Sequence, residues 1–261
     1  MLFLYSYECS YSKEKTSIPS PPVITPGTYN YKLTLMIDFK KREKILKANG
    51  EEPTIFDKAL SSFNSEIHAA NVQDKVELNQ NQLKISSLIS PTTLIGLIVG
   101  NKKIKRESVS ALDKSSYRTL FYFEERGDEL RTTSQIDYKN QTSKFYIGNK
   151  LENTDKIFGN TNDILNIIYQ GMRSDKNLFE LYFNSSKSIK KMQFIPGEIW
   201  DIPINNVKYK ARRYYKRIDK NDSASFEIWI DESRKIPLRY QVGLGDNYGA
   251  TILVELENYQ Q

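Results

Sequence analysis

The chain has 261 residues, 39% of them apolar, with 17 Tyr, 12 Phe and a formal charge of +6. That length can bury a core in one large domain, and a single cysteine, Cys9, excludes an intramolecular disulfide and any cysteine-rich metal cluster. No run approaches the roughly 18–20 apolar residues of a membrane-spanning helix. The longest, Leu94-Ile95-Gly96-Leu97-Ile98-Val99, is only of core length.

The basic excess is one local feature. Lys208, Lys210, Arg212, Arg213, Lys216 and Arg217 hold six positive charges with no acid among them, and the rest of the chain balances. The apolar start, Met1 to Tyr5, is too short for a signal peptide and lacks a basic segment before it. It reads either as the tail of an upstream signal or as a plain chain end, and Glu8 argues against lipidation at Cys9. Residues 1–27, with Pro19, Pro21, Pro22 and Pro26, read as an extended tail. A single β-rich domain is expected over 28–261.

Tyr29, Tyr31, Leu33, Leu35, Ile37 and Phe39 share one face of the longest alternating run, which predicts the first strand. Residues 40–70 are charged and broken by Gly50 and Pro53; within them Phe56, Ala59, Leu60 and Phe63 follow a helical spacing, so an insertion with one short helix or a loop is expected. Strands follow near 72–78 and 82–89. Leu94 to Val99 fits a buried strand or a short helix equally. Further strands fall near 103–110, 117–126, 129–138 and 142–148, punctuated by turn signals such as Arg126-Gly127-Asp128.

One helix is clear: Thr161 or Asn162 caps it, Asp163 sits in its first turn, and Ile164, Leu165, Ile167, Ile168 and Met172 form its apolar face. Strands return at 178–184, 189–195, 198–202, 207–217, 225–231, 236–243 and 250–258. The clearest pair sets Phe226, Ile228 and Ile230 against Glu227, Trp229 and Asp231, then Leu238, Tyr240 and Val242 against Arg239 and Gln241. The expected class is mainly β (α+β): a large antiparallel sheet that must curl around one or two helices to bury its apolar face.

Chemistry-bearing residues are sparse. His68 is the sole histidine, with no nucleophile motif beside it, and reads as a surface residue. One histidine and one distant cysteine also argue against zinc. The doublets Glu51-Glu52, Glu124-Glu125 and Asp231-Glu232 cannot each form a catalytic pair on strands, because neighbours there point to opposite faces. Gly243 to Gly249 has three glycines at irregular spacing and reads as a hairpin loop, not a phosphate cradle. No catalytic residue, metal site or cofactor is therefore expected.

Two surfaces are candidates for binding. If the sheet curls incompletely, Tyr31, Leu33, Leu35, Trp229 and Tyr240 would line a groove for an acyl chain or apolar peptide, with Trp200 and Trp229 at its mouth. The basic strand offers Arg212, Arg213, Lys216 and Arg217 for contact with an anionic surface. Its plainer reading is a charged outer face, which favours neither nucleic acid nor lipid. On that reading, replacing Arg212 and Arg213 by Ser changes stability by less than about 0.5 kcal/mol.

The second half resembles the bacterial domain-of-unknown-function 3108 family. The matching pieces are Phe123-Glu124-Glu125-Arg126-Gly127, Gln135-Ile136-Asp137-Tyr138, Thr161 to Gln170, Phe226 to Ile230 and Ile236-Pro237-Leu238-Arg239, in order across residues 72–259 and more loosely from Tyr29. The resemblance implies a half-barrel similar to periplasmic lipoprotein carriers, in an exported, periplasmic or envelope-associated protein with no assigned activity. The short N-terminus and the charged 40–70 segment depart from the family pattern. The expectation is a non-enzymatic protein that holds a lipid, acyl chain or lipoprotein segment, with peripheral membrane contact and no nucleic-acid partner. The alternative is a structural or assembly factor whose core is filled by its own side chains; an enzyme with a carboxylate and tyrosine site is the third reading.

Overall fold

The computed structural model describes residues 23–54, 66–114, 116–170, 179–185, 187–218, 224–244 and 249–261. Among these, fifteen strands form one sheet. One arm comprises β1 (Gly27–Ile37), β2 (Glu66–Asn79), β3 (Gln82–Pro91), β4 (Ile104–Asp113), β5 (Ser116–Arg126), β6 (Glu129–Asp137), β7 (Thr142–Ile147) and β8 (Lys150–Lys156). The other comprises β9 (Thr161–Asn162), β10 (Phe179–Asn184), β11 (Ile189–Ile204), β12 (Val207–Lys216), β13 (Ser225–Asp231), β14 (Pro237–Gly243) and β15 (Ala250–Gln260). The spatial order runs β8 down to β1, then β15 down to β9, so the first and last strands meet in the middle. All neighbours are antiparallel except β9 and β10. Three helices are described: α1 (Phe39–Ala48), α2 (Thr93–Val99) and α3 (Ile164–Gln170).

Fifteen twisted strands cannot stay open and flat. The sheet curls into an unclosed half-barrel, and its two ends are stitched by side chains in place of a ladder. Asp155 Oδ2 on β8 accepts from the Ile189 N–H at 2.9 Å, and Asn184 on β10 donates to Ser134 on β6. The concave face is filled by α3, a helix that buries Leu165, Asn166, Ile167, Ile168 and Tyr169 around its circumference. Those side chains pack with Tyr29, Tyr31, Val72, Ile85, Ile228 and Leu238 in the main core.

Several expected elements move. Phe39 opens α1 instead of ending β1, because Asp38 caps the helix by accepting from the Lys41 N–H at 2.9 Å. The expected helix at Phe56 to Phe63 lies outside the described residues, as do Cys9 and Met172. Leu94 to Val99 belongs to α2. The stretches at 189–195 and 198–202 are one strand, β11, irregular between Pro196 and Ile199. Asp163, not Thr161 or Asn162, caps α3: its Oδ1 accepts from the Leu165 and Asn166 N–H groups. Thr161 and Asn162 form β9.

Candidate functional site

The deepest polar cluster lies where α3 meets the concave face. Tyr169 Oη donates to Asp74 Oδ2 at 2.7 Å, and the Tyr31 and Tyr169 hydroxyls lie 3.1 Å apart. Asp163 Oδ2 accepts from Ser108 at 2.6 Å and from Thr119 at 2.8 Å; Asn166 Nδ2 donates to Ser110 at 2.8 Å. Burial pushes both carboxyls above the usual carboxylate range, although the hydrogen bonds they accept favour the charged form. Burial likewise raises the Tyr31 and Tyr169 phenols well above their ordinary value. A carboxylate and two tyrosines do converge here, but all three side chains are sealed in the core. The arrangement anchors the helix that fills the half-barrel.

A second feature sits at one rim. β1, β3, β12 and β14 end there, and β2, β4, β13 and β15 begin there. One register row, Glu66, Met36, Thr251, Gly243 and Ser225, crosses five neighbouring strands at this rim. It forms the floor of an open cavity of about 740 Å³, walled by Ile37, Phe39, Lys40, Lys41 and Ile218. The floor is low where Thr251, Gly243 and Ser225 lie side by side, because those residues are small. A Cβ on Gly243 would lie 2.3 Å from Ser225 Oγ, so glycine leaves room for that hydroxyl as it stands. Met36 alternates with Leu35, placing the floor on the face opposite the filled core.

Four of the five groove candidates, Tyr31, Leu33, Trp229 and Tyr240, pack in or against the main core and not along an open groove. Tyr31 is fully buried, with Tyr240 edge-on to it at 5.9 Å, and Leu33 packs against the same core. Leu35 joins a smaller cluster with Ile37, Ile67, Ala69, Ile95 and Phe39 near the rim. Trp229 lies on the other face of β13 from Ile228, tilted against the half-exposed Trp200 at 5.9 Å. None of the five lines the 740 Å³ cavity.

The four basic candidates share β12 and its end but differ in role. Arg213 pairs with Glu227 at 2.8 Å and lies over the Trp200, Tyr215 and Trp229 rings. Arg212 pairs with Glu232 at 3.1 Å. Lys216 is buried and donates to the Ala224 carbonyl at 2.8 Å. Arg217 is exposed and donates to Gln193. The acids absent from the basic run thus come from the next strand and its turn. His68 is exposed, with Nε2 3.0 Å from Asn71 Oδ1. Among the described residues no group of three or more His, Cys, Asp or Glu side chains has the geometry to hold a metal ion.

No family model matches the chain, that of the 3108 family included, and no curated protein matches it. Among solved structures the chain is similar to a Bacteroides fragilis protein described as exported and as having a YmcC-like fold. That match has 6% identity and a TM-score of 0.33, covering 94% of this chain and 99% of the other. It is also similar to a Vibrio parahaemolyticus domain described as an outer-membrane lipoprotein-sorting protein domain. There the identity is 9% and the TM-score 0.26, over 90% of this chain and 85% of the other. Likeness at these scores carries no argument about function, which rests on this chain's own geometry.

Proposed function

We infer that the protein is a non-enzymatic envelope module that holds an amphiphile, an acyl chain with a polar head, in the rim cavity. The observation that carries this reading is the composition of that cavity. Met36, Ile37, Phe39 and Ile218 supply apolar surface, and the charged lining is mixed, with Lys40 and Lys41 beside Glu66 and the α1 cap Asp38. The sealed position of Asp74, Tyr31 and Tyr169 supports a non-catalytic role, since a reacting group must reach its substrate.

The test is uptake of a fluorescent fatty acid by delipidated protein, with displacement by native lipid extract. Uptake is expected, and Thr251→Trp, which fills the cavity floor, should abolish it. No uptake above that of a non-binding control protein, or uptake unchanged by Thr251→Trp, would remove the reading. One observation favours a second reading, a structural or assembly factor without a small ligand: α3 already occupies the concave face where a carrier of this shape would hold its cargo. Absent uptake would leave that reading in place.

A further inference from the structure

The rim that holds the cavity also carries an exposed apolar and basic surface that the fold does not need. Both helices attached to it contribute to one small cluster: Ile95 of α2 is buried in it, and Phe39 at the start of α1 packs against it. From α2, Leu94 and Leu97 point outward at 39% and 79% exposure. Beyond the end of β12, Ile218 is 58% exposed, and Leu244 after β14 is 36% exposed. These side chains fringe eight adjacent strands, β4 to β1 and β15 to β12. At strand spacing that is an arc of about 30 Å along the curled rim.

Between the apolar tips lies α1, with five cations (Lys40, Lys41, Arg42, Lys44 and Lys47) and one acid, Glu43. Lys40, Lys44 and Lys47 fall on one exposed stripe of that helix. Of the nearby acids, Glu43 pairs with Lys47 at 2.7 Å, Asp38 caps the helix and Glu66 lines the cavity beside Lys40 and Lys41, while Glu51 and Glu52 lie past the helix end. Dispersed leucines with lysines between them make a poor protein hot spot, which needs a packed central cluster. They suit a surface that accepts apolar tips at shallow depth and anionic groups around them.

We propose that this rim docks on a membrane containing anionic lipid, with Leu94, Leu97, Ile218 and Leu244 entering the interface and α1 contacting the head groups. The docking does not rest on the cavity holding a ligand, and it places the contacting charges on α1, away from the paired Arg212 and Arg213 within β12.

Co-sedimentation with vesicles tests it, comparing phosphatidylglycerol/phosphatidylcholine mixtures with phosphatidylcholine alone at low and high salt. The protein should partition onto the anionic vesicles and come off as salt rises. Lys44→Gln should lower partitioning by about fivefold, and Leu94→Ser with Leu97→Ser by about tenfold. Arg212→Ser with Arg213→Ser should stay within about twofold, because those charges are already paired. Thermal melting of each variant guards against a folding defect. No partitioning onto anionic vesicles at low salt, equal partitioning onto neutral ones, or a loss confined to the β12 variant would overturn the proposal. A cavity that fails to take up fatty acid would not.

Discussion

The same central strands end at two rims that share almost no chemistry. At one, connections are short and polar. Gln80, Asn205, Asn206 and Lys235 take the left-handed conformation that tight hairpins demand, at φ 47°, 47°, 65° and 58°. Asp231 closes the β13–β14 turn by accepting from the Ser233 N–H at 2.8 Å and its hydroxyl at 2.9 Å. At the other rim, the chain leaves the sheet to build α1 and α2, the cavity and the exposed leucines. The sheet itself is common to both, so what distinguishes the rims is how the chain crosses between strands. Long connections give the helix-bearing rim its large cavity, while short turns close the strands at the hairpin rim.

The largest expected effect belongs to neither rim, and it sets the scale for both. Ile168 of α3 is 1% exposed in the core. Ile168→Ala should destabilise by about 2–5 kcal/mol in urea unfolding. A cost under about 1 kcal/mol would mean that the concave face can collapse around the loss, and that α3 is no plug.

The pH dependence of stability comes next. Asp74 and Asp163 have raised native values, so the native state holds protons that the unfolded chain has released. Stability should therefore be highest below the ordinary aspartate value and fall as pH rises toward the raised native ones. Each pH unit across which one extra proton is held costs ~1.4 kcal/mol. The exposed Glu43, Glu77, Asp137 and Glu180 are lowered and act with the opposite sign in the acid range, where salt screens them. Urea midpoints should thus decline as pH rises above the ordinary aspartate value, and Asp74→Asn should flatten the decline. An identical slope in that variant would show that Asp74 ionises as freely in the fold as out of it.

At the hairpin rim, Asp231→Ala leaves the Ser233 N–H without its acceptor and should cost about 1–3 kcal/mol. Near the strand centres, Arg212→Ser with Arg213→Ser should cost about 1–2 kcal/mol, above the 0.5 kcal/mol that the sequence suggests. The reason is that Arg213 bridges Glu227 and three aromatic rings. A sequence shows only that six cations lack acids among themselves; the cross-strand partners Glu227 and Glu232 appear once the register is known.

The same limit explains what was legible and what was not. Period-two runs such as Phe226 to Ile230 mark strands because one face is buried, and the apolar face of Ile164 to Ile168 marks a helix. Polar β8 (Lys150–Lys156) has no such contrast, and Leu94 to Val99 is apolar throughout, so periodicity decides neither. The curl follows from strand number alone. The cavity floor does not, because Met36, Glu66, Ser225, Gly243 and Thr251 come from five strands whose adjacency is a matter of topology. Tyr31 and Tyr240 read as groove residues by their alternation, but alternation cannot say whether an apolar face meets solvent or a helix.

The smallest expected effect is the one that most sharpens the contrast between the rims. Leu97 is 79% exposed, so Leu97→Ser removes almost no buried surface and should change stability by less than about 0.5 kcal/mol. Asp231→Ala at the opposite rim should cost several times more. If the leucine were there to support the fold, the two costs would be similar, and the helix-bearing rim would be an ordinary part of the core with a few frayed side chains. A near-zero cost for Leu97→Ser in urea unfolding, together with the loss of vesicle binding in the Leu94→Ser and Leu97→Ser variant, separates the two purposes. An apolar side chain that contributes nothing to folding and yet governs partitioning is placed for a surface outside the molecule.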